Sequence, residues 1–317
     1  MARLVLLLLE QKPQKGTTMN WNIEETIVFE TLAGSFMYGT NVPTSDSDYR
    51  GVCIPPAHVR NDLFNGFSQA DGFSGEDRTI YSLARFFKLC ADANPNIIEM
   101  LFAPPSVWKV SSETWEQVLQ SRYLFISKKV KFTFYGYATS QLKLIDNHRK
   151  WFIDPPEHKP TRSEYGLSDQ PAIGAGSLDV IASIPFTFFA DGVKDVIRRE
   201  LDYRRAKNQW DNYISWREGR NAARQEMEEK SGYDTKAAMH LIRLMLEGEE
   251  LLKKGTITFP LEQAGWLKEV RRGLLTYEEF LEYVQSMQSK FDKWYDESTL
   301  PHSANFDGIQ RLYLRLI

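Results

Sequence analysis

Apolar and polar residues along this chain follow two different periods, and the change between them falls near Pro104-Pro105. Before that point the apolar runs are short and rich in β-branched residues. Ile23 to Leu32 (IEETIVFETL) reads as a helix end or a strand entering a Gly-Ser turn, and Asp46 to Ile54 reads as a strand that Pro55-Pro56 stops. Residues 60 to 76 read as a loop or irregular hairpin. After Asp77 a short strand feeds a helix, because Ile80, Leu83, Phe86, Phe87 and Cys90 recur at helical spacing until Asn94-Pro95-Asn96 ends the run. Ile97 to Phe102 is apolar around an embedded Glu99.

Beyond Pro104-Pro105 everything has a period near 3.6, which predicts helices over 112–120, 127–152, 178–190, 192–230, 234–254, 260–272, 276–297 and 305–316. Thr276 and Glu279 have capping-box spacing, and Asp234 can cap the helix that follows Tyr233. Residues 154–176 hold four prolines and three glycines, a length and composition that mark a lid, a binding loop or disorder. The pattern therefore predicts an α+β fold: a core over 19–110 with a mixed sheet, then a mostly helical region over 111–317. Residues 1–18 precede Met19 and the first patterned segment, and they are set aside as an extension, disordered or not native.

Composition narrows the class. With 317 residues, 42% of them hydrophobic and 13% aromatic, the chain can fill a real core. A formal charge of −3 excludes a uniformly basic nucleic-acid coat and leaves room for local basic faces. Two cysteines, Cys53 and Cys90, are too few for a disulfide framework and point to a reducing, cytoplasmic setting; both lie in apolar runs and are read as core. The apolar run Leu4 to Leu9 is far short of the roughly 20 residues a membrane span needs, so no membrane partner is expected.

The chemistry concentrates in Leu32 to Pro56, LAGSFMYGTNVPTSDSDYRGVCIPP. Asp46 and Asp48 are two apart, so on a strand both carboxylates leave one face, roughly 6 to 7 Å from each other at about 3.3 Å per residue. Like charges at that spacing call for compensation, and a divalent cation, Mg²⁺ or Mn²⁺, supplies it. Gly34 lets backbone N–H groups approach a triphosphate, and the Ser35 hydroxyl can donate to a phosphate oxygen. A third acid from a neighbouring strand completes such a site. Asp77 is the preferred one, ahead of its neighbour Glu76, and a helix-capping role for Asp77 stays open. Walker A, metalloprotease, Cys-x-x-Cys and Gly-x-Ser-x-Gly signatures are absent, and Gly174-Ala-Gly176 lacks a third glycine, Asp179 standing in its place.

The spacing of Gly34-Ser35 from Asp46-x-Asp48 resembles the nucleotidyltransferase superfamily of DNA polymerase beta. A closer resemblance is to the bacterial and phage RNA-repair-pathway, polymerase-beta-like nucleotidyltransferases. It rests on Gly34-Ser-x-x-Tyr-Gly-Thr40, Ser45-Asp-x-Asp48, Arg50-Gly-Val52, Pro55-Pro56 and Asn94-Pro-Asn-Ile-Ile-Glu99. It continues in Gly136-Tyr-Ala-x-Ser-Gln-Leu-Lys143, His148-Arg-Lys-Trp151, Tyr233-Asp-Thr-Lys236 and Met239-His-Leu-Ile-Arg243, so it covers most of residues 30 to 255. Ser47 and Tyr49 stand where the broad superfamily prefers aliphatic residues. The resemblance implies transfer of a nucleoside monophosphate from an NTP to a hydroxyl acceptor with release of pyrophosphate. Asp46, Asp48 and Asp77 are then the metal-binding and catalytic residues.

On the helix after Tyr233, Lys236, His240 and Arg243 fall at i, i+4 and i+7, one basic stripe for binding the nucleotide with Gly34 and Ser35. A solvated face or ion pairs to neighbouring acidic helices is the plain alternative. Glu99 reads either as an acid of the site or as a buried structural carboxylate bonded to backbone, Tyr38 as a packed aromatic, and Gly39-Thr40 as an ordinary turn. Residues 121–150 carry seven Lys/Arg against one acid, and residues 194–224 nine against five, both interleaved with aromatics. Such stretches suit RNA or other nucleic acid, and equally helices with basic solvated faces. The acceptor stays open between a nucleic-acid end and a protein, and the rival to catalysis is a nucleotide- or RNA-binding module that keeps the fold.

Overall fold

The computed structural model describes residues 21–72, 77–171, 183–219 and 222–317, together with Gly174, Ser177, Val180 and Ile181. The extension 1–18, Glu76, Gly176 and Asp179 lie outside the described residues, as do 178 and 182 of the helix expected over 178–190; the described end of that helix, residues 183–190, is not α-helical and holds only the 3₁₀ turn Phe186–Phe188.

The chain forms two compact units, residues up to 142 with 236–317, and residues 143–235. The first unit holds a five-stranded mixed sheet in the order β3–β4–β2–β1–β5. The strands are β1 Ile27–Leu32, β2 Tyr49–Cys53, β3 Gln69–Asp71, β4 Arg78–Ser82 and β5 Trp108–Ser111. β1 runs antiparallel to both β2 and β5, β3 antiparallel to β4, and β2 parallel to β4 with Tyr49 opposite Arg78. Ile23 to Leu32 thus resolves into a short 3₁₀ turn, Glu24–Thr26, followed by strand β1.

Two expectations about the strands need correction. The strand expected from Asp46 begins only at Tyr49; Asp46 and Asp48 sit on the irregular run ahead of it, where Thr44, Ser45 and Ser47 favour a turn. The region after Pro104-Pro105 is not helical throughout, because Trp108–Ser111 adds an edge strand. Its alternation of half-buried and exposed residues is that of a strand with one face on the core.

Helices α1 Gly34–Tyr38, α2 Ala57–Arg60, α3 Leu83–Ala91 and α4 Pro95–Ile98 are interleaved with the strands. In α3 the Ser82 hydroxyl accepts from Arg85 N–H at 3.2 Å, and Leu83, Phe86, Phe87, Cys90 and Ala91 bury one face. Helix α5, Glu113–Gln120, brings Trp115 onto Phe29 of β1, rings stacked at 3.9 Å. The first unit also contains the start of α6, Val130–Ile153, nearly all of α9, Thr235–Lys254, and α10 Ala264–Arg271, α11 Tyr277–Glu297 and α12 Phe306–Leu316. Both halves of the Thr276–Glu279 capping box are formed at the start of α11. The segment before α10 docks onto α1. Leu261 N–H donates to the Tyr38 carbonyl at 3.2 Å, and a Cβ on Gly39 (φ +75°) would lie 2.8 Å from Pro260, so position 39 admits only glycine.

The second unit holds the end of α6, then α7 Asp191–Glu218 and α8 Ala222–Ser231. The helix expected over 192–230 is therefore two, with Gly219 closing the first. Trp151, Phe152, Tyr213 and Trp216 pack ring on ring, with His148 stacked on Trp151 at 5.3 Å. Among the described residues no helix is long and apolar enough to cross a membrane.

Candidate active site

Sheet register assembles the site. Asp48 and Asp77 each stand one residue before the Tyr49–Arg78 pair of parallel strands β2 and β4, so they arrive side by side. The Asp48 carbonyl accepts from Ala33 N–H and the Asp77 carbonyl from Tyr49 N–H, both at 2.8 Å, extending the ladder past the strand ends. Ala33 leads into α1, whose first residue, Gly34, has φ +60°. A Cβ there would lie 2.5 Å from Asp48 Oδ2. The glycine of the Gly-Ser pair is required for the approach of backbone to this carboxylate.

Burial raises the Asp48 pKa above its ordinary 3.8. The neighbouring Asp77 carboxyl pushes the same way, Arg50 pulls it back, and Asp46 raises it slightly. Asp48 and Asp77 thus form a pair of neighbouring carboxyls, the Asp48 carboxyl held above its ordinary range.

A cavity of about 410 Å³ opens on this pair, and all its lining residues belong to the first unit. Gly34, Ser35, Asp46, Asp48, Asp77, Lys236, His240 and Arg243 line it together. Strand ends and their approaches supply the acids, while α9 supplies the basic stripe at one helical spacing. Lys236 and His240 are half-buried; Arg243 is buried, its Nη1 donating to Glu99 at 2.5 Å and to Glu247 at 2.7 Å. Arg243 is therefore held by carboxylates, unlike the solvated stripe that spacing alone describes.

Glu99 resolves as a buried carboxylate bonded to side chains: it accepts from the Tyr38 hydroxyl at 2.5 Å as well as from Arg243. Burial lifts the Tyr38 hydroxyl well above 10.0, so it stays a donor. Arg50, Arg271 and Gln141 are polar lining residues without a role in the sequence reading. Arg50 stood in a quoted motif, and its place two residues after Asp48 was the available signal. Nothing local marks Arg271.

Among the described residues no group of three or more His, Cys, Asp or Glu stands ready to hold a metal ion. The donor chemistry fits one nonetheless. Asp48 and Asp77 are hard oxygen donors set side by side by the sheet register, and the like charge that raises Asp48 is what a cation between carboxylates would compensate.

In residues 121–150, Phe132 is 61% exposed and Tyr137 is 45% exposed, while Phe134 is fully buried. In 194–224, Tyr213 and Trp216 belong to the ring cluster of the second unit, and Lys194, Arg199 and Arg205 pair with Asp191, Asp195 and Asp202.

The chain is similar to an uncharacterized 38.9 kDa protein from the nrdC-mobD intergenic region of Enterobacteria phage T4. The two are 25% identical over 334 aligned positions, covering 90% of this chain and 97% of the phage protein. No solved structure matches. Residues 10–151, which contain Gly34, Ser35, Asp46, Asp48 and Asp77, match the model of the RNA repair pathway DNA polymerase beta family. Over that stretch, from ahead of the first strand to the last turn of the long helix α6, this chain is similar to the RNA repair pathway DNA polymerase beta family.

Proposed function

We propose that the protein is a metal-dependent nucleotidyltransferase that moves a nucleoside monophosphate from an NTP to a hydroxyl acceptor and releases pyrophosphate. The single observation that carries this reading is the Asp48–Asp77 carboxyl pair against Gly34, on a cavity that Asp46, Ser35 and the basic residues of α9 also line. Asp48 and Asp77, joined by Asp46, would hold Mg²⁺ or Mn²⁺. When bound there, the cation neutralises phosphate charge and polarises the phosphoryl oxygens.

The chain's own residues do the remaining work. Ser35 donates to a phosphate oxygen, and Lys236 and His240 offset the triphosphate charge. Asp77 accepts the proton of the attacking hydroxyl. The acceptor oxygen bonds to the α-phosphorus while the bond from that phosphorus to the bridging oxygen breaks, and its electron pair leaves with pyrophosphate. A nucleic-acid end, RNA foremost, is the favoured acceptor, and a protein hydroxyl the second. Exposed Phe132 and Tyr137, with Tyr137 on the cavity, favour residues 121–142 as the RNA-contacting part over the ion-paired stretch 194–224. Cys53 and Cys90, both free and buried, suit the reducing cytoplasm.

The test is incubation with each α-labelled NTP, Mg²⁺ or Mn²⁺, and separate pools of RNA and protein. Label covalently attached to one pool, with pyrophosphate released, is expected. Nucleotide binding without transfer to either pool would leave the non-catalytic binding module instead.

A further inference from the structure

We propose that Arg50 is the residue that grips the phosphates of a polyphosphate anion in this cavity, and that Glu99 positions it. The inference deepens the nucleotidyltransferase reading and rests on it for the identity of the anion's source, an NTP.

Arg50 lies two residues after Asp48 and lines the same cavity. It does not ion-pair with the aspartates there. Its Nη1 donates to the Asn96 carbonyl at 2.7 Å and stands 3.8 Å from Glu99 Oε2, its one ion pair among the described residues. The guanidinium carries five N–H groups, and within the described residues only this nitrogen has a hydrogen-bond acceptor. The side chain is 22% exposed and lines the cavity, so a ligand there can reach it. A cation in electrostatic reach of Asp48, yet tethered away from it, is a preformed anion site.

The tether is built from the interior outwards. Glu99 is fully buried and held by the Tyr38 hydroxyl and by Arg243, each at 2.5 Å. Arg243 in turn lies over the Tyr38 ring at 4.0 Å and is held by Glu247, itself fully buried. Replacing buried ionic networks with apolar side chains is often neutral or stabilising, so stability alone does not account for this one. A fixed geometry for the guanidinium at its outer end does. Arg243 is 4% exposed with its Nη1 shared among carboxylates, so it acts through Glu99, and Arg50 is the one that makes contact.

The probe is sodium tripolyphosphate without metal, titrated calorimetrically into the full-length chain and into Arg50→Gln, Arg50→Lys and Glu99→Gln, each with its own thermal melt. The wild type is expected to bind. Arg50→Gln should weaken binding at least tenfold with an unchanged ligand-free melt, and Arg50→Lys should fall between, because lysine keeps the charge and loses the fork. Glu99→Gln should weaken binding although Arg50 is intact. Unchanged affinity in Arg50→Gln, or no binding by the wild type, overturns the proposal; unchanged affinity in a folded Glu99→Gln overturns its positioning part. The function reading fails separately. Arg50-dependent tripolyphosphate binding with no transfer from any NTP leaves the anion site standing and removes the transferase, whereas transfer with an unaltered KM in Arg50→Gln does the reverse.

Discussion

Gly34 and Asp48 meet so closely that no side chain fits between them: a Cβ at position 34 would stand 2.5 Å from Asp48 Oδ2, on a backbone at φ +60°. Gly34→Ala therefore combines a left-handed backbone cost of roughly 1–2 kcal/mol with displacement of the carboxylate. A melting temperature lower by a few degrees and a loss of nucleotidyl transfer of at least tenfold are expected. A melt combined with a transfer assay checks both, and full transfer activity would show that the close approach does not matter.

Asp48 also bears a cost in the ligand-free fold. Burial holds its folded-state pKa above the ordinary 3.8, so the stability associated with its protonated form is present below that value and lost as pH rises through the folded one. Asp48→Asn should accordingly melt higher than the wild type at neutral pH without metal, and the gap should close toward pH 3. Melts across this range decide it; a variant less stable at neutral pH would contradict the sign.

Glu247 behind Arg243 gives a second pH dependence, far from the aspartates in sequence. Burial drives its carboxyl well above the ordinary 4.5, and the Arg243 cation offsets that only in part. Its stabilising contribution is complete below 4.5 and declines as pH rises through the folded value. Glu247→Gln removes that slope, so the variant should gain on the wild type as pH rises, by at most about 1.4 kcal/mol per pH unit. A difference that stays constant with pH would count against it.

Cys53 and Cys90 should be silent as thiols. Both are free and fully buried, and burial pushes Cys53 up to about 12 and Cys90 well above 9.0. An aromatic disulfide reagent at pH 8 is expected to label neither in the native protein and both in denaturant. Rapid native labelling of either would place it outside the core.

Local signals made much of this legible in the sequence. The i, i+3, i+4, i+7 recurrence in α3 and the Thr276–Glu279 pair are short-range features, and the structure contains both. Residues of the candidate site were legible because Gly34-Ser35 and Asp46-x-Asp48 sit within one short stretch. Asp77 was named as preferred third acid, but its contact with Asp48 depends on parallel pairing of β2 and β4, which no local pattern encodes. The edge strand Trp108–Ser111 was missed because four alternating residues beside prolines carry too little periodicity. Arg50 escaped assignment for a different reason. Its role depends on the Asn96 carbonyl and on Glu99, brought to it only by the fold.

The central claim is that these carboxylates carry nucleotidyl transfer, and the most direct measurement is label transfer from α-labelled NTP in the presence of Mg²⁺ by the wild type, Asp46→Asn and Asp48→Asn. Both substitutions remove metal-binding charge while conserving volume, so both proteins should fold. Transfer by the wild type and loss of at least about 100-fold in each variant, in keeping with the several kcal/mol a metal-held charge supplies, is the expected result. Undiminished transfer by either folded variant would contradict the account.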